Sequence, residues 1–284
     1  MTAARNPPQT PEEPRTLILT GASRGIGHAT VKRFSSAGWR VITCSRHAFP
    51  ENCPWADGPE DHIQVDLSDP QDTLRAIADM KERLPRDAAG HRTLHALVNN
   101  AGISPKGSSS PLPLAGEVEK SRSDFSGEGM GGSAATRLNT LNTDMATWRH
   151  VFEVNFFATI WLAHGLKDEL ARAGGAIVNV TSIAGGRVHP FAGAAYSASK
   201  AALAALTREM ASDFGPLGVR VNAIAPGEID TAILSPGTDK IVDTIPLRRL
   251  GLPEEVAKAI YYLCTDQSSY VTGAELHING GQHV

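Results

Sequence analysis

Short apolar runs alternate with longer stretches of helical periodicity along most of the chain. The apolar runs predict strands, and the stretches between them predict helices that cross over from one parallel strand to the next. The predicted strands are 16–20, 40–45, 62–66, 94–98, 175–181, 219–224 and 275–278. The predicted helices are 26–37, 70–83, 146–172, 195–213 and 253–264. This order predicts a doubly wound α/β fold, a mostly parallel seven-stranded sheet with helices on both faces, in a single domain.

Two segments fall outside this alternation. Residues 1–14 contain four prolines and predict a polar, disordered leader ahead of a catalytic domain at 15–284. Residues 103–142 are rich in Ser, Gly, Pro and charged side chains, which predicts a flexible surface insertion at about 106–138. A functionally neutral insertion is the first interpretation, and a substrate flap is the alternative.

A glycine-rich turn at residues 20–27 joins the first predicted strand to the first predicted helix. In this context Gly21 permits the tight turn, Gly25 lets the backbone approach a pyrophosphate, and Gly27 lets the helix pack closely. The N-terminus of the helix offers free N–H groups and a partial positive charge to phosphates. The pattern therefore predicts a dinucleotide-binding site.

A tyrosine and a lysine are spaced for acid-base chemistry on a predicted helix. Tyr196 and Lys200 are four residues apart and project from one face of the helix. A phenol has an ordinary pKa near ~10, and an ammonium beside it favours the phenolate. Such a pair also arises by chance, but Ser182 precedes it by fourteen residues and the glycine turn is present. Together these features indicate an oxidoreductase.

Five motifs, in this order, resemble the short-chain dehydrogenase/reductase (SDR) family. They are the glycine turn, Asn99-Asn100-Ala101-Gly102, the set of Ser182, Tyr196 and Lys200, Pro226-Gly227, and the tail at 270–281. The resemblance covers roughly residues 14 to 284 apart from the insertion, and it departs from the family at Asn279, where Asp is usual. It implies a Rossmann-type fold, a nicotinamide cofactor and a homotetramer, with a homodimer as the alternative.

The resemblance also implies roles in catalysis. Tyr196 is expected to be the general acid in carbonyl reduction and the general base in alcohol oxidation. Ser182 is expected to stabilise charge on the reacting oxygen, and Lys200 to lower the Tyr196 pKa and bind the nicotinamide ribose. Asn155 matches the fourth member, at a helix interruption that holds a water of the proton relay. Thr181 competes with Ser182 for its role.

The cofactor is expected along the carboxyl edge of the sheet. No acid stands at 44–47, and Arg46, with Arg24 as a second cation, suits a ribose 2′-phosphate. NADP(H) is therefore favoured, with NAD(H) as the alternative. Asp66, beside Leu67, resembles the position that meets the adenine amino group. The expected cofactor-binding residues are Gly21, Ser23, Arg24, Gly25, Ile26, Gly27, Ser45, Arg46, Asp66, Leu67, Asn99, Ala101, Gly102, Tyr196, Lys200, Pro226, Gly227, Ile229 and Thr231.

Three titratable residues near the predicted pocket have two interpretations each. His189 either lies near a substrate or is an exposed loop residue. Glu228 and Asp230 either favour a polar or cationic substrate or face water, and the family commonly has an apolar or aromatic residue at position 228. The short predicted lid at 232–245 favours a compact substrate over a long acyl carrier chain.

Composition limits the remaining classes. The chain has 284 residues, 41% of them hydrophobic, and a net charge of −3, which suits one domain with an ample core. No apolar run reaches the ~18 residues of a membrane span and no signal peptide opens the chain, so a cytoplasmic protein is expected. Three cysteines without metal-ligand spacing predict free thiols and no metal site. The slightly acidic charge gives no reason to expect nucleic acid.

The sequence therefore predicts an NADP(H)-dependent oxidoreductase acting on a small-molecule carbonyl/secondary alcohol pair, such as a ketone or a 3-oxoacyl-like compound. A catalytically idle dinucleotide-binding regulator or scaffold on the same fold is the alternative. An enoyl reductase is disfavoured because such relatives space their Tyr and Lys more widely.

Overall fold

The computed structural model describes residues 14–48, 58–106, 137–231 and 239–284. Its strands are β1 Thr16–Thr20, β2 Arg40–Ser45, β3 His62–Gln64, β4 Ala96–Asn99, β5 Ala176–Val180, β6 Arg220–Pro226 and β7 Glu275–Ile278. They form one sheet in the order β3-β2-β1-β4-β5-β6-β7, and every neighbouring pair is parallel. The predicted seven-stranded α/β sheet is confirmed.

Helices cover both faces of the sheet. They are α1 Gly25–Ser35, α2 Pro70–Arg83, α3 Met145–Phe152, α4 Ala158–Gly165, α5 Lys167–Ala173, α6 Ala194–Phe214, α7 Asp239–Val242 and α8 Pro253–Cys264. Alternate residues of each strand enter opposite apolar layers, because side chains of a strand point to opposite faces in turn. Ile18 joins the layer beneath α2, α4 and α6, whereas Leu17 and Leu19 join the layer beneath α1 and α8.

The single helix predicted over 146–172 is wrong. The structure divides this stretch into α3, a π-helical segment at Glu153–Phe157, α4 and α5. Local sequence patterns gave no sign of the extra residue that a π segment accommodates. The interruption falls at Asn155, whose side chain bonds outside the helix.

Several predicted segments lie outside the described residues. They are residues 1–13 of the leader, 107–136 of the insertion, 232–238 of the lid, and Cys53. Among the residues that are described, Cys44 and Cys264 are free and buried, and burial raises the pKa of each thiol to about 12. No helix in the described ranges is long and apolar enough to cross a membrane.

The connection from β3 to β4 reverses the direction in which the sheet grows. β1, β2 and β3 extend to one side, and β4 then pairs with the other side of β1. In such sheets the ligand crevice opens beyond the carboxyl ends of the two strands at the switch point. Here those ends lead into Gly21 and Ala101, and a Cβ at Gly21 would lie only 2.8 Å from the Ala101 Cα.

Candidate active site

One cavity of about 570 Å³ opens at the carboxyl edge of the sheet. Its wall comes from the segments that follow β1 to β6, together with the first turns of α1 and α6. The expected site residues in this wall are Gly21, Ser23, Arg24, Gly25, Ile26, Gly27, Ser45, Arg46, Asp66, Leu67, Ala101, Gly102, Ser182, Tyr196, Lys200, Pro226, Gly227, Ile229 and Thr231. Two expected residues, Asn99 and Asn155, do not line it.

The glycine turn brings backbone N–H groups to the cavity. Gly21 has φ +68°, in the left-handed region that favours glycine. A Cβ at Gly27 would lie 2.1 Å from the carbonyl oxygen of Gly21, so any larger residue there would displace the turn. Helix α1 starts without a side-chain cap and without an acid in its first turn. Its free N–H groups and positive end therefore suit an anionic group.

The adenosine side of the cavity carries two arginines and one acid. Arg24 and Arg46 are exposed in its wall, at the ends of β1 and β2. Asp66 accepts hydrogen bonds from the Ser68 backbone N–H at 2.9 Å and the Ser68 hydroxyl at 2.7 Å. These bonds, and more weakly the charge of Arg46, lower the pKa of Asp66. Leu67 is buried beside it.

Asn100, and not Asn99, lines the cavity with its side chain. The Asn100 amide donates to the carbonyl oxygens of Thr20 at 3.0 Å and Gly21 at 2.9 Å, which fixes the glycine turn. Asn99 is the last residue of β4 and points into the core, where its amide donates to Asn179 at 2.9 Å. Successive residues of a strand face opposite sides, so the side chains of Asn99 and Asn100 point in different directions.

Ser182 and Tyr196 meet in the cavity wall and share a hydrogen bond. The Ser182 hydroxyl also accepts from the Ala184 N–H at 3.2 Å, at the start of a short 3-10 turn. The neighbouring Thr181 hydroxyl is directed elsewhere, to the Ile224 carbonyl at 2.8 Å and the Glu275 carboxylate at 2.6 Å. This geometry favours Ser182 over Thr181.

The electrostatics of Tyr196 differ from expectation. Burial raises the pKa of Tyr196, the Ser182 hydrogen bond lowers it, and the charge of Glu228 raises it further. The net direction is upward, whereas a lowering by Lys200 was expected. The Lys200 Nζ lies 5.8 Å from the centre of the Tyr196 ring and donates to the Val180 carbonyl at 2.7 Å. Burial lowers the pKa of Lys200 to about 8.

Asn155 lies behind the cavity and holds its wall in place. Its side chain accepts from the Ile103 N–H at 2.8 Å and donates to the Ile103 carbonyl at 3.1 Å. It also donates to the Ser199 hydroxyl at 3.0 Å. The π segment turns Asn155 toward these groups, and the segment after β4 is thereby tied to α6.

The far wall follows β6 and contains a pair that sequence reasoning did not join. The Gly227 N–H donates to the Ile278 carbonyl at 3.0 Å. Glu228 and His189 both line the cavity, with His189 Nε2 2.7 Å from the Glu228 carboxylate. Asp230 is exposed and is not part of the wall. No sequence signal links positions 189 and 228, which lie on different loops.

Comparisons with known proteins agree with this arrangement. A family model described as short chain dehydrogenase matches residues 15–121, and one described as enoyl-(acyl carrier protein) reductase matches residues 124–283. Protein FixR of Bradyrhizobium diazoefficiens is 56% identical over 96% of this chain and 88% of its own. The cis-4-hydroxycyclohexanecarboxylate dehydrogenase of Sinomonas cyclohexanicum is 32% identical over 94% of this chain and 96% of its own.

A solved structure agrees as well. A short-chain dehydrogenase/reductase family oxidoreductase from Brucella ovis, crystallised with a partially ordered NAD, is 58% identical to this chain. The match has a TM-score of 0.73 and covers 94% of this chain and all of that one. The chain therefore belongs to the short-chain dehydrogenase/reductase family of oxidoreductases.

Proposed function

We propose that the protein is an NADP(H)-dependent oxidoreductase that interconverts a small ketone and the corresponding secondary alcohol, with Tyr196 as the general acid/base. The observation that carries this proposal is the position of Tyr196, hydrogen-bonded to Ser182, in the same cavity as the uncapped N-terminus of α1. A proton donor and an anion-binding backbone in one 570 Å³ cavity suit a reductase.

The cavity fits a nicotinamide dinucleotide. The free N–H groups at the start of α1 would hold the pyrophosphate. Lys200 would bind the nicotinamide ribose, and Asp66 the adenine. When bound, the nicotinamide supplies the hydride in reduction and accepts it in oxidation.

The side chains of this chain handle the proton and the charge. Ser182 donates toward the reacting oxygen and stabilises the negative charge that develops on it. Tyr196 donates its phenolic proton to that oxygen in reduction and removes a proton from it in oxidation. Asn155 keeps the segment at Ile103 against α6, which positions Tyr196 and Lys200 relative to the glycine turn.

The raised pKa of Tyr196 favours reduction near neutral pH. A phenol whose pKa lies above its ordinary range stays protonated through the neutral range and remains a proton donor. Oxidation requires the phenolate, which becomes available only at alkaline pH. We therefore expect the oxidation rate to rise with pH while the reduction rate stays level, in kcat profiles between pH 6 and 10.

The arginines at the adenosine side support NADP(H). Arg24 and Arg46 lie in the wall near Ser45, and none of residues 44–47 offers a carboxylate to a ribose 2′-hydroxyl. NAD(H) is the second candidate, because the Brucella ovis relative was crystallised with NAD.

The experiment is a screen of NADPH and NADH oxidation across ketones, sugars and acyl thioesters. We expect Tyr196→Phe to lower kcat at least 100-fold, within the ~10²–10⁴-fold range of a general acid/base, while NADPH still binds. Binding is measured by the quenching of tryptophan fluorescence. Retention of a tenth of the wild-type kcat would remove Tyr196 from this role. Cofactor binding without turnover on any substrate would favour the idle regulator instead.

A further inference from the structure

Two titratable side chains from different loops form a largely buried pair in the wall of the cavity. His189 lies between β5 and α6, and Glu228 follows β6. His189 Nε2 lies 2.7 Å from Glu228 Oε1, and the two side chains are only 11% and 12% exposed. The proton chemistry proposed for Tyr196 uses neither side chain.

The hydrogen bonds determine how the pair is oriented. The Phe191 backbone N–H donates to His189 Nδ1 at 3.3 Å, so Nδ1 is an acceptor and the ring proton is assigned to Nε2. Nε2 therefore donates to the Glu228 carboxylate, and the neutral imidazole leaves its negative charge in place. The Glu228 backbone is held as well, by Gln282 Oε1 at 3.0 Å and the Gly251 N–H at 2.9 Å.

The carboxylate acts on the interior of the cavity. After burial, the Glu228 charge is the second influence that raises the pKa of Tyr196, so its field reaches the proposed acid. Among the described residues, His189 provides the only hydrogen bond or ion pair to the Glu228 side chain. The other carboxylate oxygen, Oε2, thus keeps lone pairs for a ligand in the cavity that Glu228 lines.

A purely structural role does not explain the charge. A neutral amide in place of the Glu228 carboxylate would be enough to link the two loops. Burying a charged group costs free energy unless its hydrogen-bonding capacity is filled. A carboxylate with one unfilled oxygen in a cavity wall is instead suited to accept a hydrogen bond from a ligand. The same charge repels an anion, since both would be desolvated there.

We propose that Glu228, positioned by His189, selects the substrate: its carboxylate accepts a hydrogen bond from a hydroxyl or ammonium group of the substrate and excludes anionic substrates. Glu228 is then a specificity residue and His189 a positioning residue. This inference rests on the proposed reductase function and specifies its substrate class. A donor-bearing ketone is expected, rather than a carboxylate-bearing one.

The test compares seven matched ketones with the wild type, Glu228→Gln and Asp230→Asn. The ketones are cyclohexanone and six derivatives of it. Each derivative carries a hydroxyl, an ammonium or a carboxylate group at either the 3- or the 4-position. For each variant the readout is the ratio of kcat/KM for a substituted ketone to that for cyclohexanone. Asp230→Asn is the matched control, because it removes an exposed carboxylate two residues away, outside the cavity wall.

We expect Glu228→Gln to lower the ratio for a donor-bearing ketone about 10- to 100-fold, the range for a charge-assisted hydrogen bond, and to raise the ratio for the carboxylate. If the ratio falls further for the ammonium ketone than for the hydroxyl ketone, the group that Glu228 binds is cationic. If the two ratios fall equally, the group is a hydroxyl. Unchanged ratios, or the same change in Asp230→Asn, overturn the inference.

His189 is tested by a removal and a rescue. His189→Phe should lower the donor-bearing ratio through KM, with a smaller effect on kcat, and His189→Gln, which keeps an N–H donor, should restore part of it. If each variant changes kcat/KM by the same factor for every ketone, His189 has only a structural role.

Binding separates this inference from the proposed function. Affinities of the corresponding cyclohexanols are measured by saturation-transfer NMR with NADP⁺ present, which requires no turnover. Absence of turnover with all ketones contradicts the reductase proposal alone. Equal affinity of the wild type and Glu228→Gln for the donor-bearing alcohols contradicts the role of Glu228, whether or not turnover is seen.

Discussion

At the scale of single residues, burial determines the ionisation of the two side chains on which the proposed acid-base chemistry depends. Burial raises the pKa of Tyr196 and so keeps its phenol protonated. Lys200 is 3% exposed, and its Nζ donates to the Val180 carbonyl. Each group is therefore nearer its neutral form than it would be in water. The neutral phenol of Tyr196 suits a proton donor. The shifted pKa of Lys200 has a measurable effect on the stability of the fold.

Lys200 should make the stability of the fold depend on alkaline pH. Its folded-state pKa of about 8 lies below the ordinary value of ~10.4, so the folded protein must bury an ammonium at pH 7. Between these pKa values the unfolded state binds more protons, and stability rises with pH. Lys200→Met should therefore raise the Tm at pH 7 relative to the wild type, and the difference should shrink from pH 8 to 10.5.

The control for Lys200 is an exposed lysine. Lys258→Met, on α8, removes a charge that water already solvates. Its Tm difference from the wild type should not follow the same pH dependence. A Lys200→Met difference that stays constant with pH would mean that the amine of Lys200 titrates normally.

Arg46 should control the choice of cofactor. If its guanidinium contacts the ribose 2′-phosphate, Arg46→Ala removes a charge-assisted hydrogen bond and should weaken NADPH binding about tenfold or more. NADH binding should remain nearly unchanged. The effect is measured by the dissociation constants of both cofactors. The control is Arg75→Ala, because Arg75 is exposed and lies outside the 570 Å³ cavity. Equal losses for NADPH and NADH, or a wild-type preference for NADH, would contradict the assignment.

At the scale of elements, the turn between β1 and α1 has the least tolerance for change. The space at Gly27 is closed by the backbone of Gly21, which cannot move without displacing the turn. Gly27→Ala should reduce the free energy of unfolding by about 1–3 kcal/mol, the usual cost of overpacking. It should also abolish the stabilisation expected from the proposed cofactor, NADPH. Urea denaturation with and without NADPH measures both effects.

Gly215 offers the matched control for Gly27. It follows α6 with φ −53°, and a Cβ there would meet nothing within 4 Å. Gly215→Ala should leave the stability unchanged or raise it by up to about 1 kcal/mol, because the substitution mainly restricts the unfolded chain. A Gly27→Ala variant that matches Gly215→Ala would show that the turn yields to a side chain.

Local and long-range features differ in how well the sequence predicts them. The sheet, α2, α8 and the glycine turn follow from short-range periodicity and backbone constraints, and these were predicted. The π segment depends on bonds from Asn155 to Ile103 and Ser199, which are distant in sequence. The His189–Glu228 pair likewise requires knowing how two loops meet. Which of Asn99 and Asn100 turns its side chain toward the cavity depends on the register of β4, and the sequence pattern does not give that register to within one residue.

At the scale of the whole molecule, an apolar face of α4 is only partly covered by the described chain. Ile160 and Trp161 are 37% and 40% exposed, and Phe157, at the end of the π segment, is 42% exposed. Positions three and four residues apart share one helix face, so these side chains form one patch. The patch supports the homo-oligomer that the family resemblance implies, because such patches commonly mark subunit contacts.

Charging this patch should weaken the oligomer. Trp161→Glu should shift the molar mass in solution toward that of the 30.1 kDa chain, as measured by size-exclusion chromatography with light scattering. Leu74→Glu is the control, because Leu74 is exposed to a similar degree, 43%, but lies on α2. An equal effect of both substitutions, or a monomeric wild type, would contradict a subunit contact at α4.

The position of α6 has a consequence for how such a protein changes during evolution. Tyr196, Ser199 and Lys200 all lie on this one helix, and their bonds run to β5 and the π segment. His189 and Glu228, by contrast, lie on loops in the wall of the same cavity. Mutations in the loops can therefore alter which compounds enter while the proton-transfer groups keep their positions. Descendants of one ancestor could acquire new substrates by a few loop substitutions, with no loss of the reaction itself.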